Sequence, residues 1–280
     1  MKPRLPCAVL FAATLMAVGA AFWGAAPAIA AGSTPEQAAP AAGPPPADAT
    51  PAKVFTLEER GDIFMARKDY GDAADYYLRA LKQSSLKGAV LWNKLGIAFQ
   101  QQGKFSHARK AYVTATRDDK KFADAWNNLG TIYFMEADNS KNPKKFEKSV
   151  KYYQRAIELR GSAAPFHLNL GTSYYHLKMY PQAVEEYRIA LGLDPKVVTQ
   201  ESYLGTVVHA SGEDVEYYFY MAKALASVGN AEDAVRYLRR AIEDGLDNPQ
   251  RVADDPDFKK ISEYPAFVEL MKNLPVAIKN

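Results

Sequence analysis

Two series of small residues recur along the chain at matched offsets, and this recurrence excludes most folds. The first series is Gly61, Gly96, Gly130, Gly171 and Ala222; the second is Ala80, Ala115, Ala156, Ala190 and Ala241. The two marks stand 19 residues apart in four units and 26 apart in the third. Large residues keep fixed places around them. Leu57, Trp92, Trp126, His167 and Tyr218 lie four before the first mark, and Phe64, Phe99, Tyr133, Tyr174 and Leu225 three after it. Tyr77, Tyr112, Tyr153, Tyr187 and Leu238 lie three before the second mark, with Ala73, Ala108, Ser149, Ala183 and Ala234 seven before it. Spacings of three, four and seven share one helix face. Small residues let two helices approach, and aromatic ones fill the space between neighbouring pairs. Each unit therefore predicts a helical hairpin, and the series predicts an all-α stack.

On these residues the chain resembles the tetratricopeptide repeat family, whose unit of about 34 residues carries Trp, Leu-Gly, Tyr, Ala, an aromatic, Ala and Pro at set positions. The match is tightest from Trp92 to Leu95-Gly96, from Trp126 to Leu129-Gly130, and from Leu170-Gly171 through Ala183, Tyr187, Ala190 and Pro195. The units fall at 54–87, 89–122, 123–163, 164–197 and 215–248. In the first, Arg60 replaces Leu; in the fifth, Met221-Ala222 replaces Leu-Gly. End units of a stack deviate in this way. The resemblance implies a right-handed superhelical solenoid of about five hairpins.

Two segments depart from the period. Seven extra residues, Ala137 to Pro143, are expected to lengthen the loop of the third hairpin, because Asn and Pro punctuate loops. Residues 198–214 form an insertion before the fifth unit, in which Tyr203, Leu204, Val207 and Val208 can pack and Ser211-Gly212 marks a turn. A short hairpin or bent helix is expected there. Over 249–280, prolines at helix starts and Phe258, Phe267, Leu270, Met271 and Leu274 predict a short helix and a final amphipathic helix. These are expected to cap the apolar face that the last repeat exposes.

The start of the chain carries an address. Lys2 and Arg4 precede an apolar stretch from Ala8 to Gly24, and Ala28-Ile29-Ala30 ends it with small residues. This predicts a secretory signal peptide over 1–30, cleaved before Ala31, and a periplasmic or secreted protein. An uncleaved membrane anchor is the competing reading, since the run is long enough to span a bilayer. Residues 31–53 are rich in Ala and Pro, include Pro44-Pro45-Pro46, and predict a disordered linker. Cys7 is the one cysteine and lies in the leader, so the mature chain has no disulfide or thiolate chemistry. The net charge of +3 falls to +1 once Lys2 and Arg4 leave, which argues against nucleic acid as a partner.

The resemblance implies that the first helices of the units line a concave groove that binds extended peptides or partner proteins. Counted from the first mark, the groove positions are Asn93 and Lys94; Asn127, Asn128 and Thr131; Asn169, Thr172 and Tyr175; and Tyr220 and Lys223. An asparagine amide both donates and accepts, so a row of them can pair with a peptide backbone. Lys94 and Lys223 lie far apart in the stack, which argues against a clamp for an acidic C-terminus. No catalytic, cofactor or metal residues are assigned: His107, His167, His176 and His209 form no recognisable nucleophilic or zinc pattern, and no phosphate loop occurs. His167 holds the Trp place of its unit and is expected as a packed core imidazole. Each of the pairs Tyr76-Tyr77, Tyr152-Tyr153, Tyr174-Tyr175 and Tyr217-Tyr218 is expected to send one ring into the core. The run Lys141, Lys144, Lys145, Lys148 and Lys151, broken by Glu147, is expected as a solvated face. The sequence thus predicts an exported, non-catalytic scaffold for a protein or peptide. The alternatives are a membrane-anchored, self-associating structural scaffold and an accessory subunit of an envelope enzyme.

Overall fold

The computed structural model describes residues 54–83, 88–198, 215–248 and 251–274, all within one compact unit, Lys53–Asn280. The signal peptide and the linker expected over 1–53, and all but Val198 of the insertion, lie outside the described residues. All regular structure among these residues is helical. The helices are α1 (Leu57–Ala66), α2 (Tyr70–Gln83), α3 (Ala89–Gln101), α4 (Phe105–Asp118), α5 (Ala123–Ser140), α6 (Pro143–Leu159), α7 (Ala164–His176), α8 (Tyr180–Leu193), α9 (Val215–Ser227), α10 (Ala231–Glu243), α11 (Arg251–Asp254) and α12 (Pro265–Lys272). A 3₁₀ segment, Pro256–Ile261, separates the last two. From α1 to α10 the helices pair consecutively, and each second helix also packs on the first helix of the next pair. The first helices α3 and α5, and α5 and α7, touch directly. The fold is an all-α solenoid of helical hairpins.

The two series of small residues meet where expected, and the structure gives the reason. Tyr77, Tyr112, Tyr153 and Tyr187 are fully buried, and each ring lies against the glycine of its own first helix. A Cβ on Gly61, Gly96, Gly130 or Gly171 would meet the ring at 2.4–2.8 Å. The fifth unit changes both partners together, with Ala222 facing a unit that carries Leu238 in place of tyrosine.

Each hairpin turns through one residue in the left-handed region. Lys68, Gly103, Lys178 and Gly229, each seven after the first mark, have φ of 64°, 72°, 59° and 82°. In each turn two backbone bonds close the first helix; at Lys178 they are Lys178 N to Tyr175 O at 2.8 Å and Met179 N to Tyr174 O at 2.9 Å. This is the Schellman arrangement, which satisfies the last carbonyls of a helix.

In the third hairpin the left-handed residue is Lys141, four positions later than in the others. Here the structure corrects the expectation of a longer loop. The extra residues lengthen the helices instead: α5 has 18 residues against 13 in α3, α6 has 17 against 14 in α4, and only Lys141 and Asn142 connect them. Seven residues supply close to one 3.6-residue turn for each of two antiparallel helices, so both apolar faces stay in phase. The Asn-Pro pair is a helix start, with Asn142 Oδ1 accepting from Lys144 N at 3.1 Å and Pro143 in the first turn. Phe134, Ala137 and Phe146 bury the added turn, and His176 stacks on Phe146 with ring centres 4.8 Å apart.

The C-terminal segment packs on the last hairpin as a cap. The 3₁₀ segment lies on α9 and α12 on α10. Val252, Phe258, Ile261 and Phe267 join the core of the fourth and fifth hairpins, and Phe258 stacks on Phe267 at 5.8 Å.

Candidate protein-binding surface

The structure brings together the four asparagines expected to line the groove, and their amides bond to one another. Asn128 Nδ2 donates to Asn93 Oδ1 at 3.0 Å, Asn127 Nδ2 to Asn128 Oδ1 at 3.3 Å, and Asn169 Nδ2 to Asn127 Oδ1 at 2.9 Å. The ladder runs from α3 through α5 to α7. Its members are 0–7% exposed, so their placement differs from the open groove expected. A buried amide needs its bonds, and a peptide reaching these would have to replace them. Thr131 and Thr172 are buried as well. Their hydroxyls face Tyr153 Oη at 3.2 Å and Tyr187 Oη at 3.5 Å, and each also donates to the backbone one turn earlier. Tyr175 is 5% exposed and packs edge-on to Tyr217.

The two lysines are engaged by acids distant in sequence. Lys94 Nζ lies 2.8 Å from both Glu58 and Asp62 of α1, and Asp62 also accepts from Tyr77 Oη at 2.7 Å. Burial opposes the Lys94 charge, but the bonds to Asp62 and Glu58 outweigh it and hold the ammonium above its ordinary pKa. Lys223 Nζ lies 2.6 Å from Asp255 and 3.2 Å from Asp257, both in the C-terminal segment. Burial again opposes the charge, and the two carboxylates again raise the pKa.

Tyr220 is half-buried, and it leads to residues the sequence pattern did not single out. Its ring stacks on Tyr180 with centres 4.4 Å apart and planes within 12°. Around this pair Pro181, Val184, Lys223 and Asp257 line a cleft of about 510 Å³. Tyr180 and Pro181 start α8, and Tyr220 and Lys223 lie one turn apart on α9. Asp257 arrives from the cap. A cleft of this size falls in the range of ligand sites, with an apolar wall and a few polar groups at its rim. The Tyr-Pro step at a helix start was the available sequence signal. The proximity of Asp257 was not legible, because it lies 34 residues beyond Lys223.

His167 is buried, as expected, but as an ion-pair member. Nδ1 lies 2.7 Å from Glu186 Oε2 and Nε2 2.9 Å from Gly161 O, so acceptors face both ring nitrogens. The bond to Glu186 raises its pKa, burial lowers it less, and the Gly161 carbonyl adds to the rise. In the third unit the same two places hold Trp126 and Tyr152, stacked at 6.0 Å. Among the described residues no group of three or more His, Cys, Asp or Glu is placed to hold a metal ion. None of the described helices is long and apolar enough to cross a membrane.

Two family models match the chain, one described as "TPR repeat" over residues 96–136 and one as "Tetratricopeptide repeat" over 144–197. The chain carries tetratricopeptide repeats. Among curated relatives, 169 residues are 25% identical to the human Protein O-mannosyl-transferase TMTC3, covering 60% of this chain and 16% of that protein. The Aspergillus fumigatus heat-shock protein cognate co-chaperone sgt12 is 31% identical over 107 residues, covering 38% of this chain and 31% of that one. The chain thus spans under a third of either of these two proteins. The crystal structure of MamA aligns over 70% of this chain and 97% of its own, with 21% identity and a TM-score of 0.45. The two matches fall within the second, third and fourth hairpins and leave out 89–95 and 137–143. The cleft at Tyr180 and Tyr220 lies where the fourth hairpin meets the fifth.

Proposed function

We propose that this chain is an exported, non-catalytic scaffold that binds a segment of a partner protein in the cleft between α8, α9 and the cap. The observation that carries the reading is the meeting of Tyr220 and Lys223 with Tyr180, Pro181, Val184 and Asp257 around about 510 Å³ of open space. The stacked tyrosines and Val184 offer apolar contact at low entropic cost, since aromatic side chains have few torsions to freeze. Lys223 and Asp257 are paired at 3.2 Å, and the third ammonium proton and the remaining carboxylate lone pairs give the rim a donor and an acceptor. The amide ladder serves this function indirectly, by holding the first helices in register.

The leader pattern supports export, to the periplasm or the medium, with the mature chain starting at Ala31. Mass measurement of the protein recovered from the envelope or medium tests that part, and an intact Met1 contradicts it. Affinity capture from envelope extract tests the binding part. Val184→Asp places a charge on the apolar wall without touching the buried ladder, and it is expected to lose the captured partner. Retention of every partner by Val184→Asp contradicts the assignment of the cleft.

A further inference from the structure

The third hairpin carries a second surface, where α4, α5 and α6 meet, that the cleft does not use. Arg109 of α4 donates from one terminal nitrogen to both carboxylate oxygens of Glu136 on α5, at 2.8 and 3.1 Å. Lys145 of the lengthened α6 reaches the same carboxylate at 3.5 Å. Lys148 Nζ lies 5.4 Å and the Arg109 guanidinium 6.0 Å from the centre of the Tyr133 ring. Three cations therefore converge on one carboxylate and one ring. Lys144 and Lys151 stand one turn before and after Lys148 and are exposed, and Glu147 is the one acid between them. Beside the cations runs a half-buried aromatic row, in which Trp126 lies 6.0 Å from Tyr152 and Tyr152 lies 5.2 Å from Tyr133. A solvated lysine face needs no such row.

We infer that this surface docks a segment of a partner protein in which acidic side chains alternate with apolar ones. The acidic side chains answer the surplus of positive charge, and the apolar ones lie along the aromatic row. A string of phosphates matches less well. Tyr133 and Tyr152 cover each other's faces, the cations crowd Tyr133, and no open ring face is left on this pair for a base to stack upon. Glu136 and Glu147 sit within the positive field and oppose a uniform polyanion, whereas a protein segment can set its own cations against them. A flat anionic membrane reaches Lys144, Lys148 and Lys151 but not the row between the helices.

A random-peptide display library selected against the full chain tests the inference. Selected peptides are expected to combine Asp or Glu with Leu, Phe or similar residues and to weaken as salt rises. Their affinity is expected to fall at least about tenfold in Lys145→Glu/Lys148→Glu and to change by less than about twofold in Arg236→Glu/Arg239→Glu, which alters net charge equally on α10. Circular dichroism confirms that both variants stay helical, and Lys145→Arg/Lys148→Arg is expected to retain binding. Selected peptides without acidic residues, or with equal affinity for Lys145→Glu/Lys148→Glu, overturn the inference. So does tighter binding of single-stranded DNA or phosphatidylserine vesicles that is lost in that same variant.

Discussion

The pairing of glycine with tyrosine inside each hairpin links sequence and packing most closely. Glycine within a helix costs roughly 1 kcal/mol relative to alanine, yet four first helices carry it where a tyrosine ring presses on the backbone. Gly171→Ala should therefore destabilise the protein, by about 1–3 kcal/mol, through overpacking against Tyr187. Adding Tyr187→Leu reproduces the Ala222 and Leu238 pair of the fifth unit and should make the alanine harmless. Denaturant unfolding of the two single variants and the double variant measures this coupling; additive losses contradict it. A second prediction concerns His167. Its folded pKa lies above the ordinary value of 6.5. The stability from its pair with Glu186 is therefore complete below about pH 6.5 and is lost as pH rises through the folded pKa. The melting temperature should fall over that window, and His167→Trp should remove the dependence. The repeat place and burial of His167 were legible in the sequence, because spacing reports the face of a helix. Glu186 as its partner was less so, although it lies 19 residues on, the same offset that relates the two marks.

At the scale of helices and turns, the left-handed turn residue is the shared device, filled by glycine in the second and fifth hairpins and by lysine in the other three. A side chain in that region costs about 1–2 kcal/mol. Lys178→Gly should raise the unfolding free energy by about 1 kcal/mol, and Gly103→Ala should lower it by a similar amount. Thermal melts of both check this, and a change of the same sign in the two contradicts the assignment. The helix pairing was readable from the periodicity, but the third hairpin was not. Asn and Pro punctuate both loops and helix starts, and only the displacement of the turn from seven to eleven residues after Gly130 separates the two cases. The same limit applies to the asparagines. A sequence reveals which side chains can donate and accept, whereas the register of α3 against α5 and α7 decides whom they meet.

For the whole molecule, the stack is closed at its C-terminal end by a segment that both buries apolar surface and supplies charge to the cleft. Removing residues 249–280 should expose the apolar side of α9 and α10, leave Lys223 without Asp255 and Asp257, and lower the melting temperature or drive association. Thermal unfolding with light scattering tests this, and a monomer of unchanged stability contradicts the cap. The solenoid and its cap followed from the repeat pattern, whereas the cleft depends on side chains from three separate stretches. One measurement bears most directly on the account: the dissociation constant of a captured partner for the wild type, for Val184→Asp and for Asn128→Ala. The account predicts that Val184→Asp weakens binding at least about tenfold while the protein stays folded and helical by circular dichroism. It predicts that Asn128→Ala, by leaving buried amides unsatisfied, costs about 1–3 kcal/mol of stability while the remaining folded protein binds nearly as well. Weaker binding in Asn128→Ala, with full affinity in Val184→Asp, would contradict it and return the site to the asparagine row.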